Sequence, residues 1–228
     1  MSKLTTWMIC VALAAALVQP VFAADNELTP EEKAAGWQLL FNGNDYNHWR
    51  CNNGRKIASK IEDHCLVPHK SGGYLIIYDK EFGDFVLTCD VKMDPVCNSG
   101  VFVRVGNPKD PVQTGFEVQV ASEIGTGKHD FGALYDLVGP TEAPHLSTEW
   151  NTITVTCKGP HITAAVNGEI VAELNCDEWT TPGHCPDGSK NKFSRAIKDF
   201  PRRGYIGFQD HGHKVWFKNV KIRELAEK

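Results

Sequence analysis

The chain has 228 residues, of which 42% are hydrophobic and 23% charged, and its formal net charge is −4 at pH 7. Because no strongly basic field accompanies this balance, a nucleic acid is not expected as a partner. The length is sufficient for one large domain with a hydrophobic core.

The N-terminal segment, residues 1–23, has the pattern of a secretory signal peptide. Lys3 supplies a positive start, an apolar run covers residues 7–18, and Ala23 ends a small-residue cleavage pattern. The apolar run is too short for a stable membrane span. We therefore expect cleavage after Ala23, export to the periplasm or the medium, and a single domain over residues 24–228.

The next segment predicts a short N-terminal helix, and almost everything after it predicts strands. Thr29 is a suitable N-cap, with Pro30 at the first helical position and Glu32 three residues after the cap. Alternating apolar residues separated by turn residues then predict strands. These strands are residues 37–41, 75–78, 85–93, 100–105, 115–121, 133–137, 152–158, 162–166, 169–173, 204–209 and 215–223. The series is typical of an all-β sandwich.

One long interruption, residues 176–201, separates the last two predicted strands from the rest. Its Gly, Pro, Lys, Ser and Asp content predicts a loop or a lid rather than a domain boundary. We refer to residues 176–201 as the insert.

Seven cysteines follow the predicted signal peptide, and an odd number leaves at least one thiol that is free or paired between molecules. Export would permit disulfides. Cys176 and Cys185 bracket a short loop and are the predicted pair, with Cys51 and Cys65 as a weaker second pair. Since no two of these cysteines have CxxC spacing, a zinc site is not indicated.

Three predicted strands carry polar side chains at alternate positions. Strand alternation places Glu117 and Gln119 on one face, and the neighbouring strands contribute Arg104 and the pair Gln209 and His211. Amide, guanidinium and carboxylate groups form paired hydrogen bonds to vicinal hydroxyls, so this face predicts a sugar site. Aromatic residues expected to stack on a pyranose ring are Phe102, Tyr135, Trp150 and Trp216. The alternative is an ordinary solvated sheet face.

Other residues are less clearly assigned. Glu149, at the entrance of a strand, is either a substrate ligand or a carboxylate that accepts backbone N–H bonds. Asp210 either caps the turn after a strand or orients His211. Asn98, at the start of the Arg104 strand, joins the predicted substrate-binding set. His129 and Asp130 lie in a Gly-rich loop, residues 125–132, that either borders the site or is an ordinary surface loop, and the surface loop is the expectation.

Several segments, in chain order, resemble the 3-keto-disaccharide hydrolase family, long described as a domain of unknown function (DUF1080). They are residues 40–45 with Trp49, 98–104, 115–119, 132–136, 149–152, 166–168 and 204–212. The resemblance covers nearly the whole chain after the signal peptide. It implies a concanavalin-like jelly roll of two antiparallel sheets, a secreted or periplasmic setting, and activity on glycosides oxidised to a ketone at C3. The insert is longer than the family pattern suggests, which leaves lid geometry open.

The strand that would carry two carboxylates in concanavalin-like glucanases reads Glu117-Val118-Gln119 here, and an amide cannot replace the second carboxylate. A 3-keto sugar allows another route, because the ketone acidifies the hydrogen on C2. A base removes that proton, the C1 substituent leaves by elimination, and water adds back. We expect either His211 or Glu117 to be the base, and Arg104 to stabilise the enolate.

In the same hypothesis Asp210 orients His211, and Gln119 and Gln209 position the sugar. A divalent metal ion held by His211 and Glu117 is a further option that no spacing demands. Three other readings remain: a non-catalytic carbohydrate-binding module, a structural or adhesion sandwich, and a glycosidase acting on unoxidised glycosides.

Overall fold

The computed structural model describes residues 24–226, and these form two antiparallel β-sheets packed face to face. The strands are β1 (Gln38–Leu39), β2 (Trp49–Cys51), β3 (Leu75–Tyr78), β4 (Phe85–Met93), β5 (Asn98–Val105), β6 (Phe116–Ala121), β7 (Asn151–Lys158), β8 (His161–Val166), β9 (Glu169–Asn175), β10 (Tyr205–Gln209) and β11 (Val215–Glu224). The predicted all-β jelly-roll sandwich is therefore confirmed.

The six-stranded sheet has the order β1-β11-β4-β7-β8-β9, and the five-stranded sheet has the order β2-β3-β10-β5-β6. Strand β4 shows why these segments are strands: its residues alternate between buried and half-buried from Phe85 to Lys92. The core between the sheets receives Leu87 and Val91 from β4, and Val118 and Phe208 from the other sheet. One face of each sheet is thereby committed to the core, and the opposite face is available for other contacts.

Helix α1 (Pro30–Ala34) begins as predicted. The Thr29 hydroxyl accepts a hydrogen bond from the backbone N–H of Glu32, whose side chain returns one to the N–H of Thr29. A second short helix, α2 (Pro111–Thr114), was not predicted; it lies between β5 and β6. The insert is a loop as expected, with 3₁₀ turns at Cys176–Glu178 and Ile197–Asp199.

One predicted strand is absent from the structure, and one strand of the structure was not predicted. The segment 133–137 is a series of tight turns, although Leu134 bridges to Val118 and the segment lies along the edge of β6. Strand β2, by contrast, has no alternating pattern in the sequence. It is fixed by tertiary contacts, since Trp49 donates its indole N–H to the carbonyl of Leu40 at 2.7 Å.

The predicted disulfides are not formed: the seven cysteines of residues 24–226 are free and buried. Cys185 has other partners, because the Lys128 ammonium donates to its sulfur at 3.0 Å. Cys176 starts the first 3₁₀ turn of the insert, with its backbone N–H bonded to Pro160. The weaker pair fails likewise, since the Cys51 sulfur donates to the carbonyl of Ser71 and that of Cys65 to the carbonyl of Asp63.

The predicted signal peptide, residues 1–23, lies outside the described residues, and export stays a prediction. Within residues 24–226 no helix is long and apolar enough to cross a bilayer.

Candidate functional site

The candidate site lies on the face of the five-stranded sheet that points away from the core. Strand register aligns two rows of residues across β3, β10, β5 and β6. In one row Glu117 pairs with Phe102, and in the next Gln119 pairs with Gly100 while Gln209 pairs with Leu75. The expectation that Glu117, Gln119 and Gln209 share one face is therefore confirmed by the register.

Glu117 is the buried acid of this face, with only 8% of its surface exposed. The amide Nε2 of Gln209 donates to its Oε1 at 3.0 Å and also to the hydroxyl oxygen of Tyr74 at 2.6 Å. Burial raises the pKa of Glu117 to about 7, although the charge of Lys192 and the bond from Gln209 both oppose the rise. A carboxyl group with this pKa exchanges protons readily near neutrality.

Gly100 provides the space that the Glu117 side chain occupies. A Cβ atom built on Gly100 would fall on the carboxylate of Glu117. Any side chain on this residue of β5 would therefore push the carboxylate out of its present position.

Two amide oxygens on the same face have no hydrogen-bond partner within the described chain. They are Oε1 of Gln119 and Oε1 of Gln209, and each residue is only 2% exposed. Their amide nitrogens are engaged, that of Gln119 with Oδ1 of Asn98 at 3.2 Å. Buried acceptors without donors are energetically unfavourable, so a ligand with hydroxyl groups is the complement of this arrangement.

Lys192 of the insert and Tyr135 contact each other beside Glu117, and we call this pair of residues the roof. The Nζ atom of Lys192 lies 3.8 Å from the centroid of the Tyr135 ring, and the backbone N–H of Tyr135 donates to the carbonyl of Glu117 at 2.9 Å. Burial lowers the pKa of Lys192, while the negative charges of Glu117 and Asp136 oppose that shift. The roof therefore places an ammonium group in the electrostatic field of the buried carboxyl group.

The insert is attached to the sandwich at defined points. The backbone N–H of Lys192 donates to Oδ2 of Asp136 at 2.5 Å, and Gln113 of α2 donates to the carbonyl of Lys192 at 3.1 Å. Gln113 also accepts from the backbone N–H of Ser194 at 3.0 Å. On the other side of the roof the His129 ring stacks on Tyr135, with centroids 4.5 Å apart. The Gly-rich loop that contains His129 thus borders the site, whereas the sequence favoured an ordinary surface loop.

Arg104 is the main correction to the predicted site. Its side chain is fully buried, and it bonds to Oδ1 of Asp84 at 2.8 Å and to the carbonyls of Gly83 and Gly159. The reason is a bulge in β5, where Arg104 has a φ of 50° and the register with β10 shifts. The extra residue breaks the alternation and turns Arg104 away from Glu117.

The corner after β10 also differs from the prediction. His211 is exposed, and its side chain forms no hydrogen bond or ion pair within residues 24–226. Asp210 accepts from the backbone N–H groups of Lys70 at 2.7 Å and Gly212 at 3.1 Å, and its Oδ1 lies 3.6 Å from Nδ1 of His69. Asp210 therefore fixes this corner and does not orient His211.

The donor set predicted for a metal ion is not assembled. Among the residues that the structure describes, no group of three or more His, Cys, Asp or Glu side chains could hold a metal. His211 is exposed, whereas Glu117 is buried and bonded to Gln209. These two residues do not fit a shared metal ion, and we derive no step from one.

Glu149 and Trp150 immediately precede β7, which belongs to the six-stranded sheet. Glu149 is exposed, and its backbone N–H donates to Ser147. Trp150 lines a cavity with Trp216 of β11, on the same sheet. The prediction that these residues join the Glu117 face is wrong, because sequence alternation does not tell which of two sheets a strand enters.

Two residues of the site were missed by the sequence analysis. Lys192 lies in an irregular basic segment that carries no periodic signal, and Tyr74 directly precedes β3. Of the two, only Tyr74 could have been predicted as a site residue from the sequence, because it is an aromatic residue next to the predicted strand 75–78.

A family model described as a 3-keto-α-glucoside-1,2-lyase-like domain matches residues 36–223. The chain belongs to this family. The resemblance stated from the sequence motifs is confirmed.

Individual relatives agree with the family. A 3-keto-disaccharide hydrolase from Bacteroides thetaiotaomicron is 25% identical over 231 residues, which cover 84% of this chain and 79% of that protein. Two crystal structures of candidate glycosyl hydrolases from Parabacteroides distasonis are similar. One has 29% identity and a TM-score of 0.72, covering 83% of this chain and 99% of its own. The other has 31% identity and a TM-score of 0.70, covering 89% and 100%.

Proposed function

We propose that the protein is an exported carbohydrate hydrolase that cleaves the glycosidic bond of 3-keto-glycosides by elimination followed by hydration. The observation that carries the proposal is the buried Glu117 carboxyl group on the outer face of the five-stranded sheet, whose pKa is raised to about 7 and which interacts with the positive charge of Lys192. The family and the Bacteroides relative support the substrate class.

In the first step Glu117 is the base. Its carboxylate takes the proton from C2 of the sugar, and the electron pair of the C2–H bond moves toward C3 and onto the ketone oxygen. The ketone makes this proton acidic, and a base with a pKa near the working pH is suited to remove it. This assignment replaces the alternative base His211, which is exposed and unpartnered in the described chain.

Lys192 takes the role that the sequence analysis gave to Arg104. Negative charge on the enolate oxygen requires a nearby positive charge or donor in a water-poor site. Lys192 supplies this positive charge, since its ammonium interacts with the charge of Glu117 although the residue itself is exposed. The unpartnered oxygens of Gln119 and Gln209 would accept hydrogen bonds from the sugar hydroxyls.

In the second step the enolate electron pair returns, the C1–O bond breaks, and a C1=C2 double bond forms. The leaving oxygen takes a proton, for which the protonated Glu117 is the donor at hand in the buried face. Water then adds across C1=C2, with its hydroxyl group bonding to C1 and a proton to C2. The sum of the steps is hydrolysis of the glycosidic bond.

The test is incubation with a panel of 3-keto-glucosides and the matching unoxidised glucosides, in D₂O, with and without a chelator. We expect aglycone release from the 3-keto compounds alone, deuterium at C2 of the sugar product, and no release by the Glu117→Gln variant. Glu149→Gln, which removes an exposed carboxylate on the other sheet, is the matched control and should keep full activity.

Other outcomes separate the alternatives. Release from unoxidised glucosides without C2 deuteration would indicate a conventional glycosidase and refute the proposal. Binding of the 3-keto compounds without any release would indicate a carbohydrate-binding module.

A further inference from the structure

A second polar surface extends from the outer face of the six-stranded sheet, which does not carry Glu117, over the loop of residues 58–70. It consists of two cavities of about 480 and 380 Å³ that share Glu62 and Lys214 in their walls. We call the two together the lysine groove. The Glu117 site makes no use of it.

A row of three side chains crosses the first cavity. Trp216 of β11 pairs in register with Lys92 of β4. On the other side of β4, Val91 pairs with Asn151 of β7, and Trp150 is the residue before Asn151. The ammonium of Lys92 lies 5.2 Å from the ring centroid of Trp150 and 5.4 Å from that of Trp216. The sheet thus holds a lysine between two indoles at fixed spacing.

The groove carries more positive charge than its own carboxylates neutralise. Lys214 pairs with Glu62 at 2.8 Å, and Lys218 pairs with Asp25 at 2.7 Å. Three further lysines in its walls have no carboxylate within ion-pair distance among residues 24–226: Lys60, Lys70 and Lys92. Asp63 also lines the groove, and among residues 24–226 its carboxylate forms no ion pair. The groove is therefore locally cationic, although the whole chain has a net charge of −4.

The far end of the groove reaches the strand that supplies the candidate site. His69 lines the second cavity, and its Nδ1 lies 3.6 Å from Asp210, the residue after Gln209. A long ligand in the groove would therefore end beside β10, whose Gln209 contacts Glu117.

We propose that the lysine groove is an accessory binding surface for an acidic polysaccharide. The indoles of Trp150 and Trp216 each contact two lysine ammoniums, Lys92 and Lys218 for Trp150 and Lys92 and Lys214 for Trp216, and so hold these charges in place. Ammonium groups without counter-ions bind sulfate or carboxylate substituents. The surface would hold the protein on an acidic glycan, separately from turnover at Glu117. The inference does not depend on the reaction proposed above.

The test is affinity electrophoresis of the full chain in native gels that contain dextran sulfate, polygalacturonate or neutral dextran. We expect retardation by an acidic polymer and none by dextran. Dextran sulfate or polygalacturonate as the effective polymer would identify a sulfate or a carboxylate as the recognised group. Lys92→Gln should weaken retardation about fivefold, consistent with the loss of one ion pair and its cation–π contacts. Lys158→Gln, which removes an exposed lysine of the same sheet outside the groove, is the matched control.

Equal losses in the two lysine variants would show a general charge effect and overturn the proposal. So would equal competition by a single-stranded oligonucleotide, or full binding by Lys92→Gln. Glu117→Gln should bind the polymer like the wild type. Loss of polymer binding in Lys92→Gln tests the lysine groove, and loss of turnover in Glu117→Gln tests the proposed reaction. Failure of one proposal can therefore be distinguished from failure of the other.

Discussion

Replacing Glu117 by glutamine should abolish turnover and, at the same time, make the protein more stable above neutral pH. The substitution keeps the shape of the side chain and removes its ionisation. Because Glu117 is buried, its pKa rises from the ordinary value of 4.5 to about 7 in the folded protein. The folded state therefore holds a proton that the unfolded state has already lost over the range between these two values.

The sign and size follow from this difference. Below a pH of about 4.5 the carboxyl group is neutral in both states, and it costs nothing in stability. As the pH rises toward 7 the unfolded state is favoured progressively, until the penalty reaches about 3 kcal/mol. Glu117→Gln removes this penalty. It should be more stable than the wild type by up to about 3 kcal/mol at a pH of about 8, and equally stable at about 4.

Urea denaturation at both pH values measures the free energy of unfolding, and a thermal scan at the higher pH should show a rise in Tm of roughly 6 to 10 °C. Glu149→Gln should change neither quantity, since Glu149 is exposed. If Glu117→Gln were no more stable than the wild type at the higher pH, or if its advantage persisted in acid, the reasoning about the buried carboxyl group would be refuted.

Two further substitutions test the roof and Gly100, the residue that leaves space for the Glu117 side chain. Lys192→Met removes the charge that holds down the Glu117 pKa. Turnover should fall by about a hundredfold, and the acidic limb of the pH–rate profile should move to higher pH. Lys192→Arg should restore part of the lost turnover. An acidic limb that does not move in Lys192→Met would contradict this reasoning. Gly100→Ala should cost a similar factor by displacing the carboxylate, with an unchanged circular dichroism spectrum; full activity would show that the carboxylate position is unimportant.

Alternation along the strands was enough to predict the fold and to place Glu117, Gln119 and Gln209 together, because side chains two residues apart share a face. Arg104 broke the rule through a bulge, which depends on pairing with β10 and leaves no mark in the local sequence. Trp150 was misplaced because both sheets are built from the same kind of strand. Lys192 was missed because its position depends on loop contacts with Asp136 and Gln113.

The burial of Arg104 has a consequence for how the cleft moves. Its guanidinium ties β5, in the sheet that carries Glu117, to Asp84 and Gly159 at the end of the other sheet. A fully desolvated charge with three attachments resists sliding of one sheet over the other, since any shift would leave it unpaired. The sheets are thereby fixed to one another at this end of the sandwich, and any opening beside Glu117 has to come from the surrounding loops rather than from movement of the sheets.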